Sequence, residues 1–161
     1  MRPELTQRDH HEGSETEVDL TEAPAGFVAL ARLWEQRRGE RAMPARRDFR
    51  FEDFVPWLGY LHLIEIEPTD FLFRIFGTTV ADWLGADFTG RRLSHIAQQA
   101  PTVAAKALVG YRRAIEMAKP LYCVTQDSVH LDRRFGWSRL VLPLGEAGQT
   151  THLLVALRYV P

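Results

Sequence analysis

The chain has 161 residues, with 20 Lys and Arg against 21 Asp and Glu, one Cys and 45% hydrophobic residues. That length suits one domain with a sizeable core, and 25% charged with 11% aromatic residues describes a folded rather than a disordered chain. A formal net charge of -1 gives no global argument for a nucleic-acid partner, one Cys permits neither an internal disulfide nor a CxxC motif, and no apolar run nears the roughly 18 residues of a membrane helix.

Residues 1–22 hold seven acids and two arginines and no hydrophobic period. They read as a disordered acidic tail, with residues 23–161 forming one domain. The N-terminus lacks the apolar stretch of a secretory signal, so a cytoplasmic location without membrane attachment is expected. His10, His11 and Glu12 are possible metal ligands by type, but adjacent histidines in an acidic tail read more simply as solvated, and no metal is expected. The first helix is expected over residues 24–38. Phe27, Leu30, Ala31 and Trp34 follow one another at steps of three and four, with Pro24 fit for a first turn and Gly39 for an end. This stripe must be covered by the chain's own sheet or by a second copy, and a homodimer through it is expected. Residues 37–49 carry Arg37, Arg38, Arg41, Arg46 and Arg47. They read as a loop whose guanidinium groups pair with acids among Glu35, Glu40, Asp48, Glu52 and Asp53, because no base-reading motif accompanies them.

Two short apolar runs, 61–66 and 71–76, flank the turn chemistry of Glu67-Pro68-Thr69-Asp70 and read as a hairpin. In the second run, alternation sends Phe71, Phe73 and Ile75 one way and Leu72, Arg74 and Phe76 the other. Residues 79–84 read as a short helix ended by Gly85, and residues 93–97 as another. The clearest helix lies at 101–119, where Ala104, Ala107, Leu108, Tyr111, Ala114, Ile115 and Ala118 share a face between Pro101 and Pro120. Three strands finish the chain, at 121–129, 135–142 and 152–160. The expected fold is α+β: a five-stranded antiparallel sheet with helices on one face and an N-terminal accessory helix.

This element order resembles a PAS domain, and the residues sharpen the likeness. Trp34, Arg38, Gly39, Pro44, Arg46 or Arg47, and Asp48, followed by Arg74, Gly77, Thr78, Gly85, Asp87, Thr89 and Gly90, resemble the pattern of a bacterial PAS family once catalogued as a domain of unknown function. The likeness covers about residues 27–96. It implies a sensory or regulatory role in signal transduction, here as a stand-alone domain acting through contacts with itself or a partner signalling protein. Fold alone does not give function, and the alternatives are a small-molecule binding protein without signalling output and, behind it, a small enzyme.

No phosphate cradle, dinucleotide turn, HExxH helix or GxSxG elbow occurs, so no enzymatic activity is expected. The expected ligand is small, apolar and uncoloured. Its pocket is expected among Phe73, Ile75, Val124, Leu140 and Leu154 on the sheet and Trp83 and Leu84 on the helices. Haem and flavin are disfavoured. Cys123 lies in a strand rather than in the N-C-R-F-L-Q helix segment of PAS domains that form a flavin adduct, and His95 reads as a surface or packed residue rather than an axial ligand. Arg74 is expected either to pair with Asp82 or Asp87 or to anchor an anionic ligand.

Overall fold

Alternating side chains and flanking turns build one antiparallel sheet, and amphipathic helices cover both of its faces. The computed structural model describes residues 10–11, 15–130 and 133–160. Two short N-terminal strands, β1 (His10–His11) and β2 (Glu15–Glu17), precede the main elements. The five longer strands are β3 (Leu61–Ile66), β4 (Phe71–Ile75), β5 (Leu121–His130), β6 (Arg133–Glu146) and β7 (Gln149–Val160). Their spatial order is β5-β6-β7-β3-β4, with β1 and β2 both paired to the outer edge of β5. The expected five-strand sheet is therefore present. Part of the segment read as a tail is not free chain: Glu15, Thr16 and Glu17 pair with Thr125, Val124 and Cys123. The opposite edge, β4, is also covered: Gly90 N donates to Phe73 O, and Phe73 N to Arg91 O. Edge strands paired in this way no longer offer a free backbone ladder to other chains.

Helix α1 (Ala25–Arg38) starts after Pro24 and ends at Gly39, whose φ of 58° is left-handed. Its stripe of Phe27, Leu30, Ala31 and Trp34 is buried. It packs with Leu61, Leu63, Leu140, Leu142, Leu144, Leu154 and Ala156 of the chain's own sheet. Trp34 Nε1 donates to Pro143 O at 2.7 Å. The four residues expected at a dimer interface are thus consumed inside one chain, because the sheet offers them an apolar face that water would otherwise contact. The arginine-rich stretch behind α1 is laced by ion pairs: Arg37–Asp53 at 3.0 Å, Arg38–Glu35 at 2.7 Å, Arg41–Asp48 at 2.8 Å and Arg47–Glu146 at 2.5 Å. A further short helix, α2 (Phe51–Phe54), and a 3-10 run, Val55–Tyr60, lead into β3.

The other face carries α3 (Thr78–Leu84), α4 (Leu93–Gln99) and α5 (Pro101–Met117). Helix α5 lays Ala104, Ala107, Gly110, Tyr111 and Ala114 toward the sheet. These mostly small residues let the helix come close. Leu108 and Ile115, expected as equal members of the contact, are only partly buried. Among the described residues, no helix is long and apolar enough to cross a membrane.

The family-like glycine and aspartate positions are turn devices. Gly85 ends α3 at φ 78°, and Gly90 turns the chain at φ 77°. Between them, Asp87 accepts from the amide and hydroxyl of Thr89 at 2.8 and 2.7 Å.

Candidate functional site

A cavity of about 50 Å³ lies between the sheet and helices α3, α4 and α5. Its apolar wall includes Phe73, Phe76, Val80, Trp83, Leu84 and Ile96. Its polar wall is His62 of β3, Tyr111 of α5, Thr125 of β5 and Arg139 of β6. Alternation along the strands puts these groups there: His62, Thr125 and Arg139 share the face of Ile64, Cys123 and Val141.

The residues expected from the sequence at a pocket fall on both faces of the sheet. Phe73, Trp83 and Leu84 line the cavity. Ile75, Val124, Leu140 and Leu154 lie on the opposite face, in the layer under α1. For Val124, Leu140 and Leu154 the face was assigned one residue out of phase, and a slip of one residue reverses a strand. For Ile75 the reason is a β-bulge. Leu63 opposes Ile75 and Ile64 opposes Phe73, so Arg74 has no opposite residue and the alternation breaks there. Arg74 is exposed and pairs with Glu65 across the hairpin, Nε to Oε2 at 2.6 Å. It pairs with neither Asp82 nor Asp87 and does not line the cavity.

His62 lies in an aromatic box, stacked on Phe76 at 4.2 Å and edge-on to Phe73 at 5.3 Å. Its Nδ1 accepts the backbone N–H of Gly77 at 3.0 Å, which puts the ring proton on Nε2. Burial holds its pKa down to about 3, with Arg139 lowering it further and Asp87 opposing. Burial pushes the Tyr111 hydroxyl up to about 12 and the Cys123 thiol up to about 11. Burial opposes the charge of Arg139, but the Glu15 carboxylate outweighs it and the guanidinium stays firmly protonated.

Glu15 reaches Arg139 from β2: Arg139 Nη2 donates to Glu15 Oε2, and the Thr125 hydroxyl donates to the same oxygen at 3.1 Å. Gly110 of α5 passes directly above. A Cβ there would stand 3.8 Å from the Glu15 carboxylate and 3.9 Å from the Arg139 guanidinium carbon.

His62, Thr125, Trp137 and Arg139 were missed as site residues. The available signal was Arg139 itself, a charged residue inside the apolar run Trp137-Ser138-Arg139-Leu140-Val141. His95 does not line the cavity; its Nδ1 accepts the Arg92 amide at 3.0 Å, capping α4. Among the described residues, no cluster of three or more His, Cys, Asp or Glu is placed to hold a metal. The group His10, His11 and Glu12 lies outside the residues whose side chains are described.

The sequence model of a family described as "PAS domain" matches residues 23–157. No curated protein and no solved structure matches. The match spans α1, the cavity-forming helices and the long strands as far as Leu157, and with it the chain belongs to the PAS-domain family.

Proposed function

We propose that this PAS domain is a cytoplasmic sensory or regulatory module gated by a small organic ligand. Its output is a contact with a second copy or with another signalling protein. Membership of the family supports the sensory or regulatory role in general. The observation that carries the ligand-gated reading is the cavity whose one wall is the sheet and whose other wall is α3, α4 and α5. A guest there touches both layers, so it favours one packing of helices on sheet over another. At about 50 Å³ the cavity takes a guest of a few heavy atoms; drug-sized ligands fill roughly 300–1,000 Å³. The module performs no chemistry on its guest in this reading. That is supported by a Cys123 thiol held at about 11 and a His62 ring whose Nδ1 is engaged by Gly77.

Native mass spectrometry of the purified chain, before and after denaturing extraction, tests the ligand. Hydrogen exchange on the loaded and stripped forms tests the gating. The expected result is a small released mass and faster exchange in α3, α4 and α5 once it is stripped. A chain that carries no guest, and whose helices exchange identically before and after extraction, overturns the reading.

A further inference from the structure

Three buried groups give the cavity a polar corner with unused hydrogen-bonding capacity. Arg139 is nine-tenths buried, and of its guanidinium only Nη2 donates, to Glu15. Its other N–H groups make no hydrogen bond among the described residues. The same holds for the Tyr111 hydroxyl and for Nε2 of His62, both residues being 3% exposed. Buried polar groups are nearly always paired, so the corner is suited to receive a polar guest. A guanidinium selects a planar carboxylate above other small groups, since its fork matches two oxygens, and both forks of Arg139 include Nη2, the donor that Glu15 holds.

The chain already shows such a group in place. The carboxylate on Arg139 is that of Glu15, and it comes from a three-residue edge strand rather than from the body of the domain. Besides this contact, the Thr125 hydroxyl bond to the same carboxylate and the backbone pairing to β5, β2 makes one exposed ion pair among the described residues, Glu17–Arg113 at 3.5 Å.

We infer that the cavity recognises a short-chain carboxylate bound by Arg139, with Tyr111 and His62 as supporting donors, and that Glu15 is a tethered competitor which the ligand displaces. This rests on the reading of the cavity as the ligand site. The charge is conserved on exchange, one carboxylate replacing another, so Arg139 is never left buried and unpaired. Phe73, Phe76 and Val80 receive the alkyl part of the guest. Displacing Glu15 removes the buried anchor of β2, so ligand binding is coupled to release of the sheet's outer edge, a surface fit to signal.

The test is titration of the full chain with sodium propionate, with 1-propanol as the neutral control and sodium chloride at matched ionic strength. The readout is the backbone amide resonances of Gly110, Thr125 and Arg139. Saturable shifts with propionate are expected. Affinity should rise about tenfold in Glu15→Gln, because a tethered competitor lowers apparent affinity by the fraction of time it occupies the site. Binding should be lost in Arg139→Gln. Should that variant not fold, Arg139→Lys keeps the charge without the fork and should bind more weakly than the parent. Propionate shifts no larger than those of sodium chloride in both the parent and Glu15→Gln overturn the inference, as does equal affinity in those two proteins. Saturation by 1-propanol alone overturns the carboxylate class and leaves the cavity reading standing. The extraction experiment above judges that reading independently.

Discussion

His62 and Gly77 are joined by a buried hydrogen bond, the Gly77 amide donating to Nδ1 of the imidazole at 3.0 Å, and this bond ties the start of β3 to the entrance of α3. Burial keeps this histidine in its neutral form. The folded pKa of about 3 lies below the ordinary 6.5, so the unfolded chain binds the proton first as pH falls. The stability contributed is full above pH 6.5 and is lost progressively between about 6.5 and 3, at up to about 1.4 kcal/mol per pH unit. Arg139 and Asp87 are the charged groups acting on the ring. Urea unfolding between pH 6.5 and 5.5, where carboxylates stay largely ionised, should show this loss in the parent. It should be reduced in His62→Asn, which keeps an acceptor but does not titrate. Equal slopes in the two proteins would remove His62 from the account.

Gly77 has no room for a side chain. A Cβ there would meet Gly59 O and Tyr60 Cα at 3.0 Å and Leu61 N at 3.1 Å, all of them backbone atoms that cannot swing aside. Gly77→Ala is expected to cost about 1–3 kcal/mol, the range for overpacking, seen as a lower urea midpoint. A midpoint equal to the parent's would show that the β3–α3 junction yields easily.

Trp34 is held by shape and by one hydrogen bond to Pro143 O. Trp34→Phe keeps an aromatic ring but leaves that buried carbonyl without its donor. The expected loss is about 1–3 kcal/mol. Trp34→Ala also opens a cavity, and about 3–5 kcal/mol is expected. Chemical denaturation of both variants checks the ranking, which inverts only if the carbonyl finds no other partner while the cavity collapses fully.

Ala147 and Gly148 form the two-residue turn between β6 and β7, with φ of 50° and 76°. A left-handed alanine costs about 1–2 kcal/mol, and Asn-Gly is the favoured pair in such turns. Ala147→Asn should therefore raise stability by about 0.5–1 kcal/mol, measured as a higher Tm. An unchanged or lower Tm would mean that the turn geometry is set by its strands.

Cys123 is buried, with its thiol pushed up to about 11. At pH 8 it should react with a thiol-directed disulfide reagent far more slowly than the unfolded chain does, since the thiolate is the nucleophile. The Glu15 strand runs beside it, with Glu17 opposite Cys123. Faster labelling on adding propionate would accompany release of that strand.

Much of the local structure was legible because it is written in periodicity and punctuation. The three-and-four spacing of Phe27, Leu30, Ala31 and Trp34 defined α1, and Pro101 and Pro120 bracketed α5. The Glu67-Pro68-Thr69-Asp70 turn marked the β3–β4 hairpin, and Gly85, Asp87 and Gly90 marked the turns after α3. Pairing of the loop arginines with nearby acids was also readable, since Arg38–Glu35 and Arg41–Asp48 are close in sequence.

The faces of the strands were not. Strands buried on one side alternate between apolar and polar residues, and that alternation identifies the core face. Here α1 covers one side and α5 the other, so Leu140, Val141 and Leu142 are all buried, as are Leu153, Leu154, Val155 and Ala156. A continuous apolar run contains no phase, and only tertiary packing decides which residues meet α1 and which line the cavity. The bulge at Arg74 is a second such decision, since it depends on the register with β3. The meeting of Glu15 with Arg139 is a third, made across 124 residues by strand pairing that no local signal encodes. Periodicity and motif therefore carried the main helices, the five long strands and the family. The cavity's polar corner belongs to the tertiary structure, because its members are distant in the chain and share one face only once the sheet is assembled.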